Sequence, residues 1–560
     1  MSSQLAQSLD AMAEDWLSMA TFVDLQLSAA REQDIKTQII VLKDLFIYFS
    51  QTDHSEQLSA IAWDLVIPLS GFVRKKSTNS DALALFNLAI QHGNQKEVLL
   101  KLIEASKVLD YEEAEDSLDQ FDLQLILLEA QEKVIKQIRT KRPSLFMAEY
   151  TKGILEALQK AESAANMPTT AQRYHAFITE SVSKGALGHL EQNDNASDQE
   201  KQTMRALMRS FFTYVLAITA AQCNLRLSSQ LFLEQHSHLN VPRPPNTNSE
   251  ELNATPSFAG QTEFLDLVNS RFHDPSQLWE CGAWAQHENE QSMEESDRLS
   301  DDEPECGNIP LSPSGSVILL AVMLRDNSTV DDQGTNLSLS SRFQKCQEAL
   351  MELCARTDHA LVTLDACLYL CGRTIGEQQG FPPRQGSEED LLFVQTLSSI
   401  SATVVYPEMR QIAHFLVKDF LACTTDRFRY EYYSGVLRDC PYEALRTATL
   451  ALVKDEMATN SGFWSIEDNI HGLLVLALAW THEDETEADE FRVQLWIQTI
   501  NLIIFLLQKF PTSGQVQDMS SSWKESFANY LITVHGREET PRAELFRMYM
   551  RRVDELLATR

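Results

Sequence analysis

Apolar residues recur at three- and four-residue intervals along nearly the whole of this chain, and nowhere do they alternate with a period of two. Such spacing puts apolar side chains on one face of successive helices, whereas a half-buried strand needs strict alternation. The parallel-sheet enzyme folds are thereby excluded and an all-α fold is expected. Leu42, Leu45, Phe46 and Phe49 form one such face behind Asp34, whose carboxylate suits a helix N-cap. Ser55 opens the next helix, with a stripe through Leu58, Ile61, Ala62 and Leu65. Pro68 is expected to end or kink it, because proline lacks the N–H donor and its ring clashes with the preceding turn. Asp81 begins a helix carrying Phe86, Ala89 and Ile90, and Gly93 is expected to stop it in a left-handed conformation. Asn94, with Glu97 three residues on, reads as a capping-box start, so Gly93 and Asn94 form a tight reversal before Leu99, Leu102 and Ile103.

The pattern continues with helices expected over Leu118–Arg139, Ser144–Ala161, Ala171–Leu190 and Asp198–Cys223. It resumes over Leu339–Cys371, Glu388–Ser401, Glu408–Cys423, Tyr442–Met457, Ile466–Trp480, Glu487–Lys509 and Glu544–Leu557. Two stretches interrupt it. Residues 240–257 contain Val241-Pro-Arg-Pro-Pro245 with several Asn and Ser, the composition of a linker. Residues 287–314 combine Glu294, Glu295, Asp297, Asp301, Asp302 and Glu303 with Pro304, Pro310 and Pro313 and few apolar anchors, which predicts a disordered acidic loop. At 560 residues the chain exceeds the roughly 250–300 that one core supports. It is therefore divided into an N-terminal helical-repeat region, 1–239, and a C-terminal one, 258–560, holding the acidic insertion. Antiparallel helix pairs without a strict period suggest an irregular HEAT- or armadillo-like helical-repeat stack, an α-solenoid, with a plain helical bundle as the competing architecture.

Charge narrows the partners. Against 80 Asp plus Glu stand 47 Lys plus Arg, a formal charge of -33. Such a field repels nucleic-acid phosphates and anionic lipid and attracts basic protein surfaces. The apolar runs Phe211–Ala221 and Leu473–Trp480 fall short of the roughly 18 residues that span a bilayer, and Met1–Asp10 lacks the pattern of a secretion signal. The nine cysteines contain no Cys-x-x-Cys pair, so neither a disulfide framework nor a zinc site is expected. A cytoplasmic location, extending to the nucleus, follows as the expectation.

The chain carries no dinucleotide fingerprint, phosphate loop, nucleophile elbow or His-Glu-x-x-His, so no enzyme and no cofactor is expected. Cys371-Gly-Arg-Thr-Ile-Gly376 resembles a phosphate loop only superficially, since it lacks the lysine and follows a helix. His236 and His238 have no further ligand at metal spacing and read as solvated. Cys367 and Cys371, one helical turn apart, read as small core residues in preference to a redox pair. Arg74-Lys-Lys76 and Lys141-Arg142 sit at helix ends, where they complement the macrodipole. Ser300, before Asp-Asp-Glu303, and Ser312, before Pro313, are candidate phosphorylation sites. Arg547, Arg551 and Arg552 break the acidic monotony near the C-terminus and are candidate partner-binding residues.

Three motifs carry a resemblance: Ala62–Leu69 (AWDLVIPL), Gly93–Val98 (GNQKEV) and Asp439–Arg446 (DCPYEALR). In their order, spacing and flanking helices they resemble the glomulin and fungal Yap-binding-protein family, over most of the chain. Trp63, Asp64, Pro68, Gly93, Asn94, Glu97, Asp439, Cys440 and Pro441 are the family-motif residues. They also make physical sense as folding determinants: Trp63 offers packing surface, Gly93 and Asn94 turn the chain, and Pro441 suits a first helical turn. The resemblance implies a non-enzymatic helical-repeat adaptor. Its partner would be an AP-1-like basic-zipper transcription factor in the oxidative stress response. The alternatives are a glomulin-like inhibitor masking the RING subunit of a cullin ubiquitin ligase, or a kinetochore-associated scaffold. By the same resemblance, the partner surface is expected in the C-terminal helices from Glu487 onward.

Overall fold

In the computed structural model, residues 2–108, 120–164, 176–191, 196–220, 226–236, 278, 309, 311–326, 338–355, 361–459, 462–479, 490–535 and 541–558 are described. They are almost entirely helical, and Arg384 and Thr424 form a parallel bridge. The chain forms two compact units. One comprises Met1–Leu225, Ala254–Asn336 and Ala360–Thr363; the other comprises Arg226–Asn253, Leu337–His359 and Leu364–Arg560. The expected linker 240–257 lies outside the described residues, as does the acidic stretch 287–314 except for 309 and 311–314.

The first unit holds α1 (Ser2–Asp10), α2 (Trp16–Arg31), α3 (Ile35–Phe49), α4 (Ser55–Val73), α5 (Asn79–His92), α6 (Gln95–Val108), α7 (Gln120–Ile135) and α8 (Pro143–Ala164). A π-helix, Ile178–Leu187, runs into the short α9 (Gly188–Glu191), and α10 (Asp198–Ala220) and α12 (Pro313–Asp326) complete the unit. Helices pack on their next neighbour and on the next but one, as in α2 with α4, α3 with α5, α4 with α6 and α6 with α8. That is the contact pattern of an all-α helical-repeat stack, because each repeat buries its apolar stripe only against adjacent repeats. The stripes read from sequence are where it buries them: Leu42, Leu45, Leu58, Ile61, Leu65, Phe86, Leu99 and Leu102 are all enclosed. Asp34 caps α3 as expected, its Oδ1 accepting the Thr37 N–H at 2.8 Å.

Three local expectations are corrected. Pro68 lies inside α4 without ending it. Leu65, Val66, Leu69 and Phe72 on either side of it are buried, and their burial outweighs the roughly 3 kcal/mol that an interior proline costs. Arg31 from α2 crosses that turn, donating to the Pro68 carbonyl at 2.5 Å and lying over the Phe72 ring at 5.4 Å. Gly93 is not left-handed: its φ of -71° and ψ of 165° are extended. Glycine is needed there for closeness, since a Cβ would stand 2.6 Å from Val98 Cγ2 and 2.7 Å from Ala62 Cβ. Residues 313 and 314, placed in the acidic loop by composition, belong to α12, whose Pro313 occupies the first helical turn.

The second unit holds α11 (Leu227–Gln235), α13 (Leu339–Ala355), α14 (Leu361–Gln378), α15 (Glu388–Thr403), α16 (Pro407–Ala422), α17 (Asp426–Asp439), α18 (Glu443–Thr459), α19 (Glu467–Ala479), α20 (Glu490–Lys509), α21 (Gly514–His535) and α22 (Pro541–Ala558). The contact pattern repeats: α13 packs on α15, α17 on α19, α18 on α20, α19 on α21 and α20 on α22. The segment read as one helix over 339–371 is two, α13 and α14. α17, α21 and most of α12 fall where no helix was expected. α17 is the instructive case: DRFRYEYYSGVLRD is too polar to show a stripe, yet Phe428, Tyr432, Tyr433, Val436 and Leu437 are buried. Tyrosines count as polar in a periodicity reading and behave as large apolar bodies in a core.

Candidate protein interface

The chain segment between α16 and α17 turns tightly at Thr424 and Thr425, held from the side by the parallel bridge. Arg384 N–H donates to the Cys423 carbonyl at 2.8 Å, and Thr425 N–H to the Arg384 carbonyl at 3.0 Å. This turn opens a groove of about 1050 Å3 between the end of α16, the start of α17 and the last turns of α18. Arg429 forms its floor. The guanidinium pairs with Asp426, reaches Glu456 Oε1 at 3.2 Å, and donates to the Thr424 and Leu421 carbonyls at 3.1 and 3.2 Å. Asp426 also accepts from the Trp464 indole N–H at 2.9 Å, which ties the groove to a ring cluster of the buried Tyr433 and Trp464 with the half-buried Phe463. Burial, with the Glu456 carboxylate close by, pushes the Tyr433 hydroxyl well up. Lys418 and Asp455, 3.3 Å apart, form part of the rim, and Arg427 on α17 is 84% exposed.

The ionisable groups here are matched with one another across three helices.

A second constellation lies in the same unit, around α11. Arg226 is left-handed, with φ 49°, and offers α11 no side-chain cap. Asp365 on α14 caps it instead, accepting from the Leu227 and Ser228 N–H groups at 2.7 and 3.0 Å and from the Ser228 hydroxyl. Glu408 accepts from the Ser229 hydroxyl at 2.5 Å, and Asp419 Oδ2 lies 3.1 Å from His236 Nε2. Burial raises the Asp365 carboxyl to about 6, partly opposed by the hydrogen bonds it receives from Ser228 and Leu227. None of this was legible from sequence, because the partners stand far apart along the chain.

The sequence candidates scatter. Trp63 is 37% exposed, with the Lys101 ammonium 5.6 Å from its ring centre. Asp64 beside it is half-buried, and desolvation raises its carboxyl. Asn94 caps α6 through Lys96 N–H at 3.2 Å, and Glu97 follows in the first turn. Asp439 ends α17 and Cys440 is its C-cap. Pro441 precedes the helix it was expected to open, for α18 begins at Glu443 and the Tyr442 carbonyl accepts its first bonds. Cys346, Cys367 and Cys371 cluster in the core, and burial together with a hydrogen bond to Cys346 holds the Cys371 thiol well above its ordinary range. A thiol so held stays protonated, in line with the core reading. Cys371–Gly376 lies within α14, and His236 faces Asp419 and not solvent alone. His238 and Ser300 are outside the described residues.

Ser312 is enclosed. Its N–H donates to Thr213 Oγ1 at 2.9 Å and its Oγ accepts from Gly315 N–H at 3.3 Å. On α22, Phe546, Met550 and Val553 face inward, Phe546 against Trp496 of α20. Arg547, Arg551 and Arg552 point outward with Met548; Arg552 pairs with Glu555 at 2.8 Å, and the other two meet no carboxylate among the described residues.

A stack of amphipathic helices with a charge-paired groove defines a helical-repeat scaffold. The family model described as an uncharacterised protein family, YAP/Alf4/glomulin (Kinetochor_Ybp2), matches residues 1–509, and the chain belongs to that family. No curated protein matches it. The match contains the groove and the α11 constellation and ends at the last residue of α20, before α21 and α22. Membership is consistent with a protein-binding adaptor. Among the described residues no helix is long and apolar enough to cross a membrane.

Proposed function

We propose that this protein is a non-enzymatic adaptor of the cytoplasm and nucleus that binds an AP-1-like basic-zipper transcription factor in the oxidative stress response. The observation that carries this reading is the family match across residues 1–509, in which YAP stands in the family's own description. The formal charge of -33 supports it, because an acidic field draws in a basic zipper region and raises its association rate. The groove at Arg429 is the contact surface: it lies within the matched residues, and a basic segment would compete with Lys418 for Asp455 in its rim and with Arg427 for Glu431 beside it on α17. Glomulin stands in the same description, so a cullin RING subunit is the second reading and the second bait.

Purified full-length protein is to be tested against each bait by calorimetry at low and high salt. Binding to the basic-zipper factor that weakens with salt is the expected result; binding to the RING subunit alone selects the second reading, and binding to neither overturns both. Location is tested with surface charge changes that leave the fold intact. Asp455→Lys with Glu431→Lys should reduce binding, whereas Arg547→Glu with Arg551→Glu should not; the reverse result places the partner on α22.

A further inference from the structure

Ile178–Leu187 is a π-helix over its full ten residues, although π geometry normally occupies single-turn bulges inside α-helices. At its end the Gly188 N–H is shared between the Gly185 carbonyl and, five residues back, the Ser183 carbonyl. Two hydroxyls in this segment, Thr179 Oγ1 and Ser183 Oγ, are buried, each residue 1% exposed, and have no hydrogen-bond partner among the described residues. In the α-helices of the same protein, several buried hydroxyls are satisfied by the carbonyl four residues earlier, although Ser316 on α12 and Ser434 on α17 are not. Thr151 bonds Met147 at 2.8 Å, Thr219 bonds Val215 at 2.7 Å and Thr499 bonds Leu495 at 2.8 Å. At Ser183 the π register carries the Thr179 carbonyl away from the hydroxyl, so that group bears the cost of burial unpaired.

We infer that Ile178–Leu187 is a two-state segment that exchanges its π register for an α register, in which Ser183 donates to the Thr179 carbonyl. The neighbourhood allows the change. Gly185 offers no side chain to the Glu132–Lys136 ion pair of α7, where a Cβ would stand 2.5 Å from Glu132 Oε1, so it can slide past. Shortening the turn moves α9, and with it His189, whose Nε2 meets Arg139 Nη1 at 2.7 Å. The two registers thus differ in a contact at the outer end of α7, which makes the segment a conformational switch within the first unit. The unpaired Ser183 hydroxyl weighs against the π state and the packed surroundings weigh for it, a balance that permits both to be populated.

Hydrogen exchange with mass spectrometry on the full chain tests this. In the native protein, amides of 178–187 should exchange faster than those of α8 and α10, reporting local opening during register change. Ser183→Ala removes the orphan hydroxyl from the π state and the new bond from the α state, so it should slow exchange in the segment, by about tenfold. Deleting Ser181, which leaves only enough chain for the α register, should also slow it. If native 178–187 exchanges as slowly as α8 and α10, the segment has one state and the inference fails. If Ser183→Ala speeds exchange and lowers the melting temperature, Ser183 is already bonded in an α-helix and the inference fails equally.

Discussion

Asp365 accepts the N–H of Leu227 at 2.7 Å, although 138 residues separate the two. A helix of nine residues has little stability of its own, so α11 owes its formation to this borrowed cap and to the apolar seat beneath Leu231 and Phe232. The first prediction follows. Asp365→Asn keeps the shape but offers one acceptor oxygen where two are used, turning a donor toward either Leu227 or Ser228. It should lower stability by about 1–3 kcal/mol in denaturant unfolding, with loss of exchange protection concentrated in α11.

The same residue gives a pH signature. Its carboxyl titrates at about 6 in the folded protein against an ordinary 3.8, so the folded state holds the proton more tightly than the unfolded chain. Its contribution is then fully present below 3.8 and is lost as pH rises through about 6. The melting-temperature gap between native protein and Asp365→Asn should narrow across that window and stay level above it.

Gly93→Ala distinguishes close packing from left-handed geometry. With φ at -71° alanine suffers no backbone strain, so the expected loss of about 1–3 kcal/mol comes from the collision with Val98 and Ala62. Adding Val98→Ala removes the nearer obstacle and should recover part of the loss relative to Val98→Ala alone. An absence of coupling in the double-mutant cycle would disprove the packing account.

At the start of α12, a Cβ on Gly315 would stand 1.8 Å from the Thr213 carbonyl oxygen, a backbone atom that cannot step aside. Gly315→Ala should therefore destabilise by more than the usual overpacking range of about 1–3 kcal/mol. The neighbouring cap makes a deletion series informative. Removing 287–308 should leave the melting temperature unchanged, because that acidic composition cannot offset ordering entropy. Extending the deletion to 314 removes the Ser312 bonds to Thr213 and Gly315 and should lower it. A phosphate on Ser312 would likewise require that turn to open, so Ser312→Asp should destabilise.

Arg429 is the fourth test site. Arg429→Met strips the half-buried Glu456 and the more exposed Asp426 of their shared cation and should cost about 1–3 kcal/mol, the scale for leaving a partly buried polar group unsatisfied. Pairing it with Glu456→Gln should recover part of that loss.

Sequence alone determined the fold class and most of the helices, because a helix records its buried face in the three- and four-residue spacing of its own side chains. Asp34 could be read as a cap for the same reason: donor and acceptor are three residues apart. Where local and tertiary preferences diverged, tertiary structure decided. Pro68 stayed inside α4 because its neighbours were buried, α17 formed from a polar sequence because its tyrosines were enclosed, and Gly93 served closeness where left-handed geometry was expected. The groove and the α11 cap were invisible beforehand. Arg429 with Glu456, and Asp365 with Leu227, become partners only when helices distant in the chain are packed together, and no periodicity along a single chain records a contact of that kind.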